Sequence, residues 1–300
     1  MDNGQPMRKH TGASSNKTAR VAGVELAYDD DGSGITIVCL HAIGHGAADY
    51  QELRQRLGSK YRVIALDWPG HGASGSDDAA PGDMYYAEQL GAFIEELGLD
   101  GVVLVGNSVG GAAAIRYAAA RPDRVRALIV ANPGGLFMRP AGFSVFPKLM
   151  ARFFEAGATG AAWFPWVFSV YYQRMLVREP AAGQRQRIIA AAVELAPILA
   201  RAWRSFGEPQ SDLRQLVPQV RCPVLVTWAT LDPINPLWMN VRAIRRFRDV
   251  QLAKFHAGHA PFLETPDEFV ATFDAFMARV LRPAPAPAAN ETRVRAVVDA

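Results

Sequence analysis

A chain of 300 residues, half of them apolar, can build a large α/β domain around a sizeable core, which excludes a small stapled scaffold. Its 32 basic and 29 acidic residues leave a net charge of +3, spread without a basic block or stripe, so no nucleic-acid partner is expected. Cys39 and Cys222 each lie in or beside an apolar run and read as small buried thiols rather than a disulfide or redox pair.

Residues 1–20 are polar and lack the continuous apolar segment of a secretory signal, so they read as a disordered leader. No window reaches the roughly 20 apolar residues that span a bilayer, which predicts a soluble, cytoplasmic protein without an integral membrane segment. Val21 to Tyr28 alternates like an opening strand, residues 29–34 form a turn cluster, and Ile35 to Leu40 is a nearly all-apolar strand. Arg62 to Leu66 ends at Asp67-Trp68-Pro69-Gly70-His71-Gly72, and Val102 to Val105 ends at Gly106-Asn107-Ser108-Val109-Gly110, with helical patterns between them. Val125 to Val130, Val224 to Trp228 and Val250 to Phe255 complete the series. Apolar strands alternating with helices predict an α/β class, with a mostly parallel central sheet flanked by helices.

Between Asn132 and Arg221 the strand rhythm stops for longer than a plain connection in a compact domain runs. Residues 136–220 therefore read as an inserted helical cap on a core made of 21–135 and 221–281. Its first part is rich in aromatics, among them Phe137, Phe143, Phe153, Trp163, Trp166 and Tyr172, most of them expected to pack and a minority to line a pocket. Its second part, Gln184 to Phe206, has apolar residues at helical spacing with Pro197 as a kink. From Arg282-Pro283-Ala284-Pro285 onward, residues 282–300 read as a disordered Pro/Ala-rich tail.

Ser108 stands between an apolar strand and the small-residue stretch Gly110-Gly111-Ala112-Ala113-Ala114, at a strand-to-helix corner built from glycine. Such a corner is a nucleophile elbow, in which a strained turn presents the hydroxyl at the top of a sheet. A serine hydroxyl needs a base to take its proton, and the base needs a carboxylate to fix its tautomer. His259 follows the last strand on a loop before Thr265-Pro266-Asp267-Glu268, where Thr265 and Glu268 predict a capping box and Pro266 the first helical position. His256 is its rival, set at the strand end where packing into the fold is expected. Asp232 follows the strand Val224 to Trp228 and is the expected acid. Asp67 is read as a turn carboxylate, and Asp123 falls at the opposite edge of the sheet. The order Ser108, Asp232, His259 is the one this type of elbow uses.

Acyl chemistry also needs backbone N–H groups aimed at the developing oxyanion, each worth on the order of 10²–10³ in rate. Val109 and Ile43 are the expected donors, with His41 and His45 holding the Ile43 loop. Candidate substrate contacts are His41 and Asn107 beside the serine, and Phe137, Phe143, Trp163 and Phe262. A metal held by His41, His45 and His71 lacks a matching Cys or acidic pattern, so neither metal nor cofactor is expected. The expected partner is a small-molecule substrate, with a homo-oligomer possible.

Together the Ser108 elbow, the Asp67-to-Ser74 turn, the Asp232-Pro233 loop and Gly258-His259 resemble the α/β-hydrolase superfamily with a helical cap, from about Val21 to Leu281. The resemblance implies Ser108 as nucleophile, Asp232 as acid, His259 as base and Ile43 with Val109 as oxyanion donors. It leaves the substrate open, since esterases, lipases and C–C bond hydrolases share these motifs. Asn107 before the serine is similar to the meta-cleavage product hydrolases, which split a C–C bond in dienoates. Those enzymes commonly have tryptophan where this chain has Ala260, and the superfamily usually has glycine where it has Ala42. Their cap also supplies an arginine to the substrate carboxylate, for which Arg139, Arg174, Arg178, Arg185 and Arg187 are candidates. The expected reaction is hydrolysis of a carboxylic ester with an apolar or aromatic acyl group. Dienoate C–C hydrolysis is the alternative, and a receptor retaining the fold is a third reading.

Overall fold

The structure, a computed structural model, describes residues 17–138 and 145–282. In chain order it comprises β1 (Lys17–Val21), β2 (Val24–Asp31), β3 (Thr36–Leu40), α1 (Gln51–Leu57), β4 (Arg62–Leu66), α2 (Asp83–Glu96), β5 (Val102–Asn107), α3 (Val109–Ala120) and β6 (Val125–Ala131). Four helices follow before the next strand: α4 (Val145–Ala158), α5 (Phe164–Met175), α6 (Ala182–Ala190) and α7 (Ala192–Phe206). The chain then returns through β7 (Val224–Ala229), α8 (Leu237–Ile244), β8 (Val250–Phe255), α9 (Pro261–Glu264) and α10 (Pro266–Val280).

The strands form one sheet in the order β1-β2-β4-β3-β5-β6-β7-β8, antiparallel across β1-β2 and β2-β4 and parallel from β4 to β8. Every residue of β5 and β7 is buried, because helices cover both faces. Their apolar runs therefore lack alternation. The carboxyl ends of β3, β5, β6 and β7 meet at one edge of the sheet, and the inserted helices α4 to α7 leave from that edge after β6.

The N-terminal boundary differs from the one composition suggests. Lys17 to Arg20, expected in the leader, belong to β1, which pairs with β2 across a tight turn at Ala22 (φ 45) and Gly23 (φ 87). Two successive positive φ values suit a two-residue hairpin, but Ala-Gly lacks the Asn-Gly or Asp-Gly signal that would mark it. The rest of the expected leader, and the tail beyond residue 282, lie outside the described residues. Pro197 sits inside α7 without ending it. Pro266 takes the start of α10, but the capping box does not form, because the Thr265 hydroxyl donates to the carbonyl of Pro261 at 3.0 Å instead. Among the described residues no helix is long and apolar enough to cross a membrane.

Where β5 crosses into α3 the backbones pack closely. A Cβ on Gly110 would lie 2.2 Å from the carbonyl oxygen of Leu40, so α3 can approach β3 only with glycine there. Gly110→Ala is expected to destabilise the protein by about 1–3 kcal/mol, the usual cost of forced overpacking. Urea denaturation measures it, and a variant as stable as the parent would show that the close approach carries no constraint.

Candidate active site

At the end of β5, Ser108 has φ 52 and ψ −116, a left-handed backbone that a residue with a side chain adopts only when its surroundings dictate it. Its N–H donates to the carbonyl of Ala131 at 3.0 Å, and its own carbonyl accepts from Gly134 at 3.2 Å and Ala112 at 2.9 Å. Val109 opens α3, so its amide is one of the first-turn N–H groups that have no partner within the helix.

Asp232 and His259 come together from loops after β7 and β8. Nδ1 of His259 lies 2.6 Å from Oδ2 of Asp232, and both residues are buried. The carboxylate is fixed on its other sides as well. Oδ2 also accepts from Nδ2 of Asn132 at 2.6 Å, while Oδ1 accepts from the amides of Ile234 at 3.0 Å and Asn235 at 3.1 Å. With Nδ1 committed to the carboxylate, Nε2 is the ring nitrogen left to meet a hydroxyl. Ser108, Val109, Ile43 and His259 line one cavity of about 410 Å³ under the inserted helices.

Two residues that sequence reasoning missed hold this arrangement. Asn132, at φ 44, spends its side-chain amide on Asp232 and accepts from the amide of Ala229 at 2.8 Å. Its signal was an Asn-Pro pair at the end of an apolar strand, a place where asparagine tolerates left-handed backbone. Glu264 is buried and receives four backbone amides: Val177 at 2.8 Å and Arg178 at 3.1 Å from just beyond α5, and Gly258 at 3.0 Å and Ala260 at 3.3 Å on either side of His259. The amide of His259 donates to the carbonyl of Met175 at 2.7 Å, and a Cβ on Gly258 would lie 2.2 Å from that carbonyl oxygen. Glu264 could have been suspected as a carboxylate within the otherwise apolar run Ala260-Pro261-Phe262-Leu263.

The expected substrate contacts occupy different places in the fold. Phe137 lines the cavity. His41 does not: Nε2 accepts from the amide of Trp68 at 2.9 Å and Nδ1 donates to the carbonyl of Ala42 at 2.7 Å, so the ring ties two loops together. Asn107 is likewise outside the lining, because Nδ2 donates to the carbonyls of Ala131 at 3.0 Å and His259 at 3.1 Å. Phe262 is stacked on Tyr50 with ring centroids 4.6 Å apart, and Trp163 stands half in solvent at the start of α5. Phe143 lies outside the described residues. His256, expected to pack into the fold, is exposed. Asp67 is a turn carboxylate, accepting from Ala47 at 2.7 Å and Ala73 at 3.0 Å.

Among the described residues no lysine or arginine lines the cavity, whose walls are mostly apolar and include Ile43, Tyr171, Leu199, Trp203 and Met239. Of the arginines considered for a substrate carboxylate, Arg185 donates to the carbonyl of Leu176, Arg187 donates to Gln184, and Arg174 and Arg178 are exposed. Arg139 lies outside the described residues. Among the described residues no group of three His, Cys, Asp or Glu side chains could hold a metal. His71 resembles His41, with Nε2 accepting from the amide of Gly44 at 3.0 Å and Nδ1 donating to the carbonyl of Pro69 at 3.2 Å, so neither ring has a nitrogen to spare. Both cysteines are free and buried, and burial pushes the Cys222 thiol up to about 12.

Comparison with known proteins agrees with this architecture. A family model described as the alpha/beta hydrolase family matches residues 37–272. The chain belongs to that family. It is 27% identical to a 2-hydroxy-6-oxo-6-phenylhexa-2,4-dienoate hydrolase of Comamonas testosteroni, covering 88% of this chain and 96% of the relative. A relative of the same name from Burkholderia cepacia is 28% identical over 81% of this chain and 88% of its own. Among solved structures, a thermophilic esterase from Thermogutta terrifontis superposes with a TM-score of 0.75 at 23% identity, covering 88% of this chain and 99% of that one.

Burial lowers the pKa of His41 and of His71 from the ordinary 6.5 to about 3. Both rings thus stay neutral in the folded chain at pH values where they take up protons once unfolded. Between about pH 6.5 and 3 the unfolded state binds more protons, so stability falls as pH falls through that window. Near the middle of that window, around pH 5, each histidine contributes a slope of up to about 1.4 kcal/mol per pH unit. Urea titrations between about pH 6.5 and 5, where carboxylates remain ionised, should show the loss, and His71→Gln should flatten it. An unchanged slope in that variant would count against a neutral buried His71.

Proposed function

We propose that the chain is a serine esterase acting on a carboxylic ester with an apolar or aromatic acyl group. The observation that carries this reading is the His259–Asp232 pair opening on the same cavity as the strained Ser108. Oγ of Ser108 attacks the ester carbonyl while Nε2 of His259 takes its proton, and the amides of Ile43 and Val109 receive the oxyanion. Collapse expels the alcohol, which leaves with the proton from His259. Water, deprotonated by the same nitrogen, then attacks the acyl-enzyme and releases the acid and Ser108.

Asp232 has a second consequence for this scheme. Its Oδ1 faces two backbone N–H groups, so an asparagine in its place would keep its carbonyl there and turn its amide nitrogen toward His259. The ring would then carry its proton on the wrong nitrogen. Asp232→Asn is expected to lower kcat by about 10³–10⁴.

The names of the curated relatives favour C–C hydrolysis of a dienoate as the second reading. The apolar cavity favours the ester, because a dienoate carries a carboxylate that would need a cation or several hydrogen bonds once buried. A fluorophosphonate probe should label the protein covalently, and labelling should vanish in Ser108→Ala. Label retained by that variant would overturn the nucleophile. A p-nitrophenyl ester should exceed a 2-hydroxy-6-oxo-dienoate in kcat/KM, and the reverse order would establish the second reading. Tight thermal stabilisation by ligands without an esterase burst would point instead to a receptor.

A further inference from the structure

One polar group on the cavity wall has a buried support that the proposed reaction does not use. His45 lies on the loop after β3, two residues beyond Ile43, and lines the cavity that Ser108 lines. Its Nδ1 is 2.6 Å from Oδ2 of Asp49, and both side chains are almost wholly buried. The support continues into the inserted helices, where Nε2 of Gln184 donates to Oδ1 of Asp49 and Nε of Arg187 donates to Oε1 of Gln184 at 2.9 Å. The ring of Tyr172 packs against the imidazole, with centroids 5.9 Å apart.

Each link in this chain has only one possible direction. Arginine only donates, so the carbonyl of Gln184 faces Arg187 and its NH₂ faces Asp49. A carboxylate only accepts, so Nδ1 of His45 carries the hydrogen. In the neutral ring the lone pair is then left on Nε2, a hydrogen-bond acceptor in a mostly apolar cavity.

We infer that His45 is a specificity-determining residue whose Nε2 accepts a hydrogen bond from a hydroxyl on the substrate, making hydroxy-substituted esters the preferred class. This rests on the reading of Ser108 as an esterase nucleophile. A deoxy ester fills the same space but leaves Nε2 without a donor, and sites built to bind a hydroxyl discriminate against analogues lacking it.

The test is a panel of p-nitrophenyl esters bearing a hydroxyl at successive carbons of the acyl chain, each beside its deoxy parent and its keto analogue. The parent protein should prefer at least one hydroxy ester by about tenfold in kcat/KM. His45→Phe, which keeps the ring but removes the acceptor, should erase that preference. In Asp49→Asn the Gln184 amide holds the new carbonyl, the new NH₂ faces Nδ1, and the imidazole proton moves to Nε2. Preference should then pass to the keto analogue. Equal turnover of every pair, or a preference that survives His45→Phe, overturns the role of His45 and leaves the esterase reading standing. Absence of turnover with every ester strikes the esterase reading instead. In that case greater thermal stabilisation of Ser108→Ala by a hydroxy ester than by its deoxy parent supports the role of His45, and equal stabilisation overturns it.

Discussion

The left-handed turn at Ser108 is the constraint on which the rest of the site depends. Backbone strain of this kind costs about 1–3 kcal/mol and persists only where neighbours over-determine it. Here β6 supplies the Ala131 carbonyl for the serine amide, the loop after β6 returns the Gly134 amide, and β3 presses the Leu40 carbonyl against Gly110. Three parallel strands thereby lock one residue. The loops that leave β3 and β6 start from fixed points, which is why Ile43, Ser108 and Phe137 open on one cavity at the carboxyl edge of the sheet.

Around that point the loops are held by buried carboxylates facing main-chain and side-chain N–H groups. Asp67 closes the turn after β4, Asp232 the loop after β7, and Glu264 the loop that carries His259. A buried charge is tolerated only when its lone pairs are met, so each carboxylate imposes the loop conformation that aims N–H groups at it. Glu264 goes further, because two of its donors come from beyond α5 and two from around His259. The seating of the inserted helices and the position of the proposed base are therefore one structural event.

How much was legible in the sequence follows from how local each determinant is. The elbow was legible because its demand for glycine falls within five consecutive residues, and the strands because burial on both faces leaves unbroken apolar runs. The β1-β2 hairpin was not, since Ala22 adopts a turn conformation usually marked by Asn or Asp. His41 and Asn107 were placed near the serine, but which way their side chains face depends on Trp68, Ala131 and the His259 loop, all distant in sequence. Asn132 and Glu264 escaped for the same reason: their partners lie across the fold, and neither residue belongs to a motif that names them.

The histidines show how partners assign different work to one side chain. His41 and His71 spend both ring nitrogens on the main chain and are kept neutral by burial, so they act as rigid ties. His259 and His45 each give Nδ1 to a buried carboxylate and both line the cavity, so in each the other ring nitrogen is not spent on that support. The choice between ester and C–C bond cleavage then rests less on the serine than on what meets the far end of the substrate. Among the described residues the arginines that could meet a carboxylate there face solvent or are held by Leu176 and Gln184, whereas the wall offers aromatic and aliphatic side chains. Burying an anion against such a wall is unfavourable, while an apolar acyl chain gains about 25 cal/mol for each Å² it removes from water.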